Sequence, residues 1–123
     1  MPLPDLSRIE PVDEERILEL KEQAAHDPSL FNRLFHLFEE EGPTLIANIE
    51  ESLAQSDRDE THEAIHKVKG SSAAMGAGRV YALASAGVEI CRSDESLDAL
   101  SELPSLLATE YASYASKAKK HLA

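Results

Sequence analysis

The chain has 123 residues, enough for one domain with a single modest core. Hydrophobic residues make up 42% of it but aromatic ones only 5%, with no Trp, so the chain should fold around Leu, Ile, Val and Ala, as helix bundles do. The formal net charge of −11, from 12 Lys+Arg against 23 Asp+Glu, repels phosphate backbones and anionic membrane surfaces; it argues against nucleic-acid binding and leaves protein partners, above all basic ones.

The single Cys91 cannot close an intramolecular disulfide, which fits a reducing compartment. The first residues resemble no signal peptide, and no run approaches the ~20 apolar residues of a membrane span. The expected location is the cytoplasm.

In chain order, residues 1–12 carry Pro2, Pro4 and Pro11 and read as an extended lead-in, with the folded unit over 13–123. Asp13 can cap a first short helix whose opening turn holds Glu14 and Glu15, and Ile17 and Leu18 give it a narrow apolar stripe. Asp27-Pro28 is a second start signal, a capping side chain before a proline at the first helical position. Leu30, Phe31, Leu34, Phe35, Leu37 and Phe38 follow at helical spacing, and the stripe resumes in phase at Leu45, Ile46, Ile49 and Leu53. Gly42-Pro43 lies between the two halves, so the spacing predicts one kinked helix rather than two.

Ser56 to Asp59 form a polar turn into a helix over about 58–75, with Ala64, Ile65, Val68, Ser71, Ser72 and Met75 on its core face. Gly76-Ala77-Gly78 breaks it. A fourth helix runs through Val80, Tyr81, Leu83, Ala84, Val88 and Ile90 to Arg92. Ser93-Asp94-Glu95 opens the last, which carries Leu97, Leu100, Leu103, Leu106, Leu107, Tyr111 and Tyr114 and must bend or restart at Pro104. No strand pattern or repeat is present. The expected architecture is all-α, an antiparallel four-helix bundle with a short additional N-terminal helix.

The third helix carries the chemistry. Helical residues advance about 100° each, so with Ala64, Ile65, Val68 and Met75 inward, His66, Lys69, Gly70 and Ala73 share the adjoining outer flank. Glycine inside a helix costs about 1 kcal/mol relative to alanine, so Gly70 asks for a reason, and an opening beside His66 is one. A free imidazole titrates near ~6.5 and is a nucleophile when neutral. Phosphoryl transfer needs in-line positioning and charge stabilisation more than covalent help; Lys69 can offset phosphoryl charge, and Lys69 is expected to be exposed.

The run Ile65-His66-Lys67-Val68-Lys69-Gly70-Ser71-Ser72-Ala73-Ala74-Met75-Gly76 resembles the signature of histidine-containing phosphotransfer (HPt) domains: a histidine, then a lysine-glycine-small-small run, then an apolar-glycine pair. The Phe38 to Pro43 segment is similar to that family's kinked helix, and the resemblance covers about residues 13–120. It implies a phosphoryl carrier, not a kinase, that relays the group on a histidine Nε2 between aspartates of receiver domains of response regulators and hybrid kinases. On that carry-over His66 is the phosphoacceptor, Lys69 the phosphate-stabilising residue, Gly70 the clearance residue, and Ser71 and Ser72 small residues for close packing. The resemblance implies no cofactor in this chain, the Mg²⁺ belonging to the receiver, and a monomer is expected. Docking is expected around Ala73 and the His66 flank, with His62 and Arg92 as candidates for its rim. The small Ala84-Ser85-Ala86-Gly87-Val88-Glu89 run departs from the family's larger residues in the fourth helix.

Two other readings stay open on the residues alone. His62, Glu63 and His66 have a spacing that can place two imidazoles on one metal, but no second helix offers a clear Glu-x-x-His, and no metal site is expected. In a plain helical adaptor, His66 would be incidental.

Overall fold

A computed structural model describes residues 2–123, and these form five α-helices and two short 3-10 turns. They are α1 (Glu14–Gln23), α2 (Leu30–Ala54), α3 (Arg58–Met75), α4 (Gly78–Arg92) and α5 (Leu103–Ala118). The 3-10 turns cover Leu97–Leu100 and Lys119–His121, and no strand occurs among the described residues. Helices α2 to α5 build the bundle, each packed on its neighbours in chain order and α5 closing back onto α2. Helix α1 lies across the end where α3 turns into α4.

Helix α2 is continuous through Pro43, as the in-phase stripes predict. Pro43 is exposed, so the backbone group it leaves without a partner can be met by water. Phe31, Phe35, Phe38, Leu45 and Ile49 are buried on one face, whereas Leu37 is 57% exposed and Leu18 of α1 54% exposed. Those two leucines belong to no core stripe, because the helical phase set by the phenylalanines and by Ile17 turns them outward. The phenylalanines meet α5 in an aromatic cluster. Phe38 lies 4.8 Å from Tyr111 and 5.3 Å from Tyr114 between ring centroids, contacts worth about 0.5–1.5 kcal/mol each beyond their buried area. The Tyr111 ring crosses α2 at Gly42, where an added Cβ would come within 2.9 Å of it.

Helix α2 starts later than its capping signal. Asp27 accepts from the Ser29 hydroxyl at 2.9 Å and the Ser29 amide at 3.3 Å, folding 27–29 into a turn, and the helix begins at Leu30. Asp27 also pairs with Arg33, whose guanidinium pulls its carboxyl down to about 2. Proline at 28 thus sits in the turn rather than at the first helical position. At the other end, Ser56 closes the α2–α3 turn with φ 54°, and Thr61 and Ser52 tie the two helices by a buried hydroxyl pair at 2.7 Å. Pro104 marks a restart: it lies in the first turn of α5, where a missing N–H costs nothing.

The lead-in is packed, not loose. Pro11 and Val12 are buried and Leu3 and Leu6 lean on the core. Arg79 of α4 donates to the Ile9 carbonyl at 2.6 Å, and Gly78 admits the Glu10 carbonyl where a Cβ would stand 2.6 Å away. Among the described residues, no helix is long and apolar enough to cross a membrane.

Candidate functional site

The α3 helix is held at both ends. At its start Asp57 accepts from the Glu60 amide at 3.1 Å, and Asp59 and Glu60 in the first turn favour the positive end of the dipole. Arg58 then reaches across to α4. Its guanidinium donates to the carbonyls of Ile90 and Cys91 at 3.2 Å, of Ser93 at 3.3 Å, and of Glu95. One side chain therefore gathers carbonyls of the end of α4 and of the turn that follows it. At the other end Gly76 takes the left-handed conformation with φ 71°, which a side chain would strain, and the Ala77 amide returns to the Ser72 carbonyl at 2.9 Å. The Asp13 amide donates to the Gly76 carbonyl at 2.7 Å and Arg16 Nε to the Ala74 carbonyl at 3.0 Å, so α1 caps this end.

Between these anchors the helix divides by face. Ile65, Val68 and Ser72 are fully buried and Ala64 and Met75 nearly so. His66, Gly70 and Ala73 are exposed, Ser71 is half-buried, and Lys69 is half-buried rather than exposed. Lys69 sits where the outer flank meets the bundle, a place where a lysine stem can lie on apolar surface with its ammonium in water. The Ser72 hydroxyl donates to the Lys69 carbonyl at 3.1 Å and Ser71 to that of Lys67 at 3.1 Å; both hydroxyls are thereby satisfied within the helix. An added Cβ at Gly70 would meet nothing within 4 Å. No packing inside this chain requires the glycine, so the space it leaves opens outward, one turn from His66.

The small residues of α4 explain how α3 is seated. A Cβ at Gly87 would lie 3.1 Å from both Ile65 and Leu103, so the glycine lets three helices close together directly behind His66. With Arg58 level with Ile90 to Ser93 and Ile65 level with Gly87, the two helices run antiparallel.

His62 precedes His66 by one turn, and the two imidazoles stack with centroids 6.0 Å apart and planes 9° apart. His62 is half-buried, and its Nε2 is enclosed with no hydrogen-bond partner among the described residues. Arg92 is exposed at the end of α4 and pairs with Glu89 at 3.7 Å. The end of α4 that carries it stands level with the start of α3, where Arg58 reaches the Ile90 and Cys91 carbonyls. Among the described residues, no three His, Cys, Asp or Glu side chains come together as a metal site. Burial pushes the Cys91 thiol up, against the opposing pull of Arg58, and the thiol points to packing rather than reactivity.

Two features escape periodicity. Arg58 acts through carbonyls 32 to 37 residues away, and nothing local announces it. Tyr111 brings a buried hydroxyl beside Ser71 and Glu41; burial and the Glu41 charge push it up to about 12, which nearby Ser71 eases only slightly. No hydrogen bond of good geometry joins Tyr111 to Ser71, whose own proton is aimed at the backbone.

The assembled site is an exposed imidazole, a lysine one turn on, and an open surface, all on a rigidly mounted helix. It brings together an imidazole, which is a nucleophile when neutral, and a cation. The family model described as Hpt domain matches residues 33–116, more than half of the chain and all of the site. No curated protein and no solved structure gives a significant match.

Proposed function

Because this chain belongs to the Hpt-domain family, a family of histidine phosphocarriers in phosphorelays, we propose that it carries a phosphoryl group on His66 between the aspartates of two receiver domains. The observation that carries this reading is the juxtaposition of exposed His66 with the unfilled space at Gly70. A receiver needs that space to bring its acyl phosphate in line with the imidazole.

The lone pair of the unprotonated ring nitrogen attacks phosphorus; the P–N bond forms as the P–O bond to the donor aspartate breaks, and its electron pair leaves on the carboxylate. The transfer to the next receiver reverses these roles. Lys69 offsets charge on the phosphoryl oxygens, while Mg²⁺ and the second reacting group arrive with the receiver. On this reading the chain acts as a carrier rather than a kinase, as its family does. A monomer fits its net charge of −11, which sets copies against one another and favours receivers with basic surfaces.

Incubation with a receiver bearing labelled phosphoaspartate tests the proposal. Label should move to this protein, be acid-labile and alkali-stable, and disappear in His66→Gln with the helical circular dichroism unchanged. Failure of wild type to take label from every receiver of its organism removes the proposal's support, as does retained label in His66→Gln.

A further inference from the structure

We propose that His62 is a positioning residue that fixes the plane of the His66 imidazole; the proposal rests on His66 being the phosphoacceptor. The two rings lie one above the other, as residues four apart on a helix must, but spacing alone does not make them parallel. They are within 9° of parallel at 6.0 Å, inside the 4.5–7 Å range of stacked rings.

The two members are unequal. His62 is half-buried with its Nε2 enclosed, whereas His66 is exposed and, without a neighbour, would be free to turn about its side-chain bonds. His62 is therefore the fixed plate and His66 the ring laid against it. The enclosed Nε2 of His62 strengthens the assignment. A nitrogen shut away from water without a partner is a cost that leucine would not incur, so packing alone does not account for an imidazole there.

In-line attack demands a definite ring plane, and transfer is steeply sensitive to small misplacements. A stack of this kind biases an exposed ring roughly 3- to 10-fold toward one orientation. The bias acts on the transfer step and not on docking, since the rings are ordered before the receiver arrives.

Three variants separate this role from a structural or docking one. In single-turnover transfer from a labelled receiver, His62→Ala should lower the saturating rate roughly 3- to 10-fold while the receiver concentration for half-saturation stays put. His62→Phe, which keeps a flat ring, should restore the rate to within about twofold, and His62→Leu, similar in bulk but not flat, should remain slow. Side-chain NMR should show ring-to-ring contacts between positions 62 and 66 in wild type and His62→Phe only. Equal loss in all three variants, loss confined to receiver affinity, or an unchanged rate in His62→Ala each overturns the proposal. Those outcomes differ from failure of the acceptor reading itself, in which wild type takes no label and His66→Gln behaves as wild type does.

Discussion

Replacing Gly70 with alanine should make the protein more stable and slower at the same time. Gly70 lies inside α3, has no positive φ, and an added Cβ meets nothing within 4 Å, so the methyl costs no clash. The gain is the helix-propensity difference, about 0.5–1 kcal/mol, unopposed by strain. At about 2.1 cal/mol/K per residue, a chain of 123 residues has an unfolding entropy near 0.26 kcal/mol/K, so Tm should rise by roughly 2–4 °C. The same methyl stands in the space proposed for the receiver, and Gly70→Leu fills it further. Transfer to His66 should fall modestly in Gly70→Ala and by orders of magnitude in Gly70→Leu, while both melt at or above the wild-type temperature. Thermal denaturation and single-turnover transfer on the same preparations check both halves. Destabilisation in Gly70→Ala would refute the reading of an open surface, and wild-type transfer in Gly70→Leu would refute the reading of Gly70 as an access point.

Lys69→Ala should leave the fold intact, because the residue is only half-buried, and should slow transfer or shorten the phosphohistidine lifetime; loss of helical circular dichroism would count against its assigned place on the flank. Two tyrosines one turn apart should respond with opposite signs to loss of the hydroxyl. Tyr114 donates to the Met75 carbonyl at 2.6 Å, so Tyr114→Phe should cost about 1–3 kcal/mol, whereas Tyr111→Phe removes a buried hydroxyl without a partner and should be neutral or stabilising by up to about 1 kcal/mol in urea titrations. Burial raises both phenols, Tyr111 to about 12, so the neutral form is favoured in the fold. Their contribution is complete below the ordinary value near 10; that of Tyr111 is lost as pH climbs toward 12 and that of Tyr114 over a higher range, and phenolate absorbance should show both ionising together with unfolding. Arg58→Ala should cost about 2–3 kcal/mol, for a half-buried cation serving four carbonyls, and Arg58→Lys should recover less than half of it, because an ammonium cannot reproduce the fork.

What could be read from the chain follows from how far each interaction reaches. His66, Lys69, Gly70 and Ala73 share one helix, so a single periodicity fixes their relative places, and the buried Val68, Ser72 and Met75 hold the phase. The continuity of α2 through Pro43 was legible for the same reason, since its phenylalanines stay on one face. Asp27 accepts from both the amide and the hydroxyl of Ser29 and so folds a turn that leads into α2 at Leu30, two residues past Pro28. Leu18, Leu37 and Tyr81 drew the stripes too wide; apolar identity does not say which edge of a stripe ends the core. Arg58, the clasp of Ile9 and Glu10 on α4, and the Tyr111 ring across Gly42 join residues far apart in sequence, and no local pattern marks them. At the site, spacing places His62 over His66, but the near-parallel planes belong to the packing around them.

Helix α3 is anchored by Arg58 at its first residue and by Asp13 and Arg16 at its last turn, so the residue proposed to bear the phosphoryl group rides on a beam clamped at both supports. A clamped beam offers the same face to whichever receiver arrives. On the proposed function, uptake and delivery would pass through one arrangement of atoms, traversed in opposite senses. On that reading the direction of flow would be set by the relative free energies of the two aspartyl phosphates and by how much of each receiver is present.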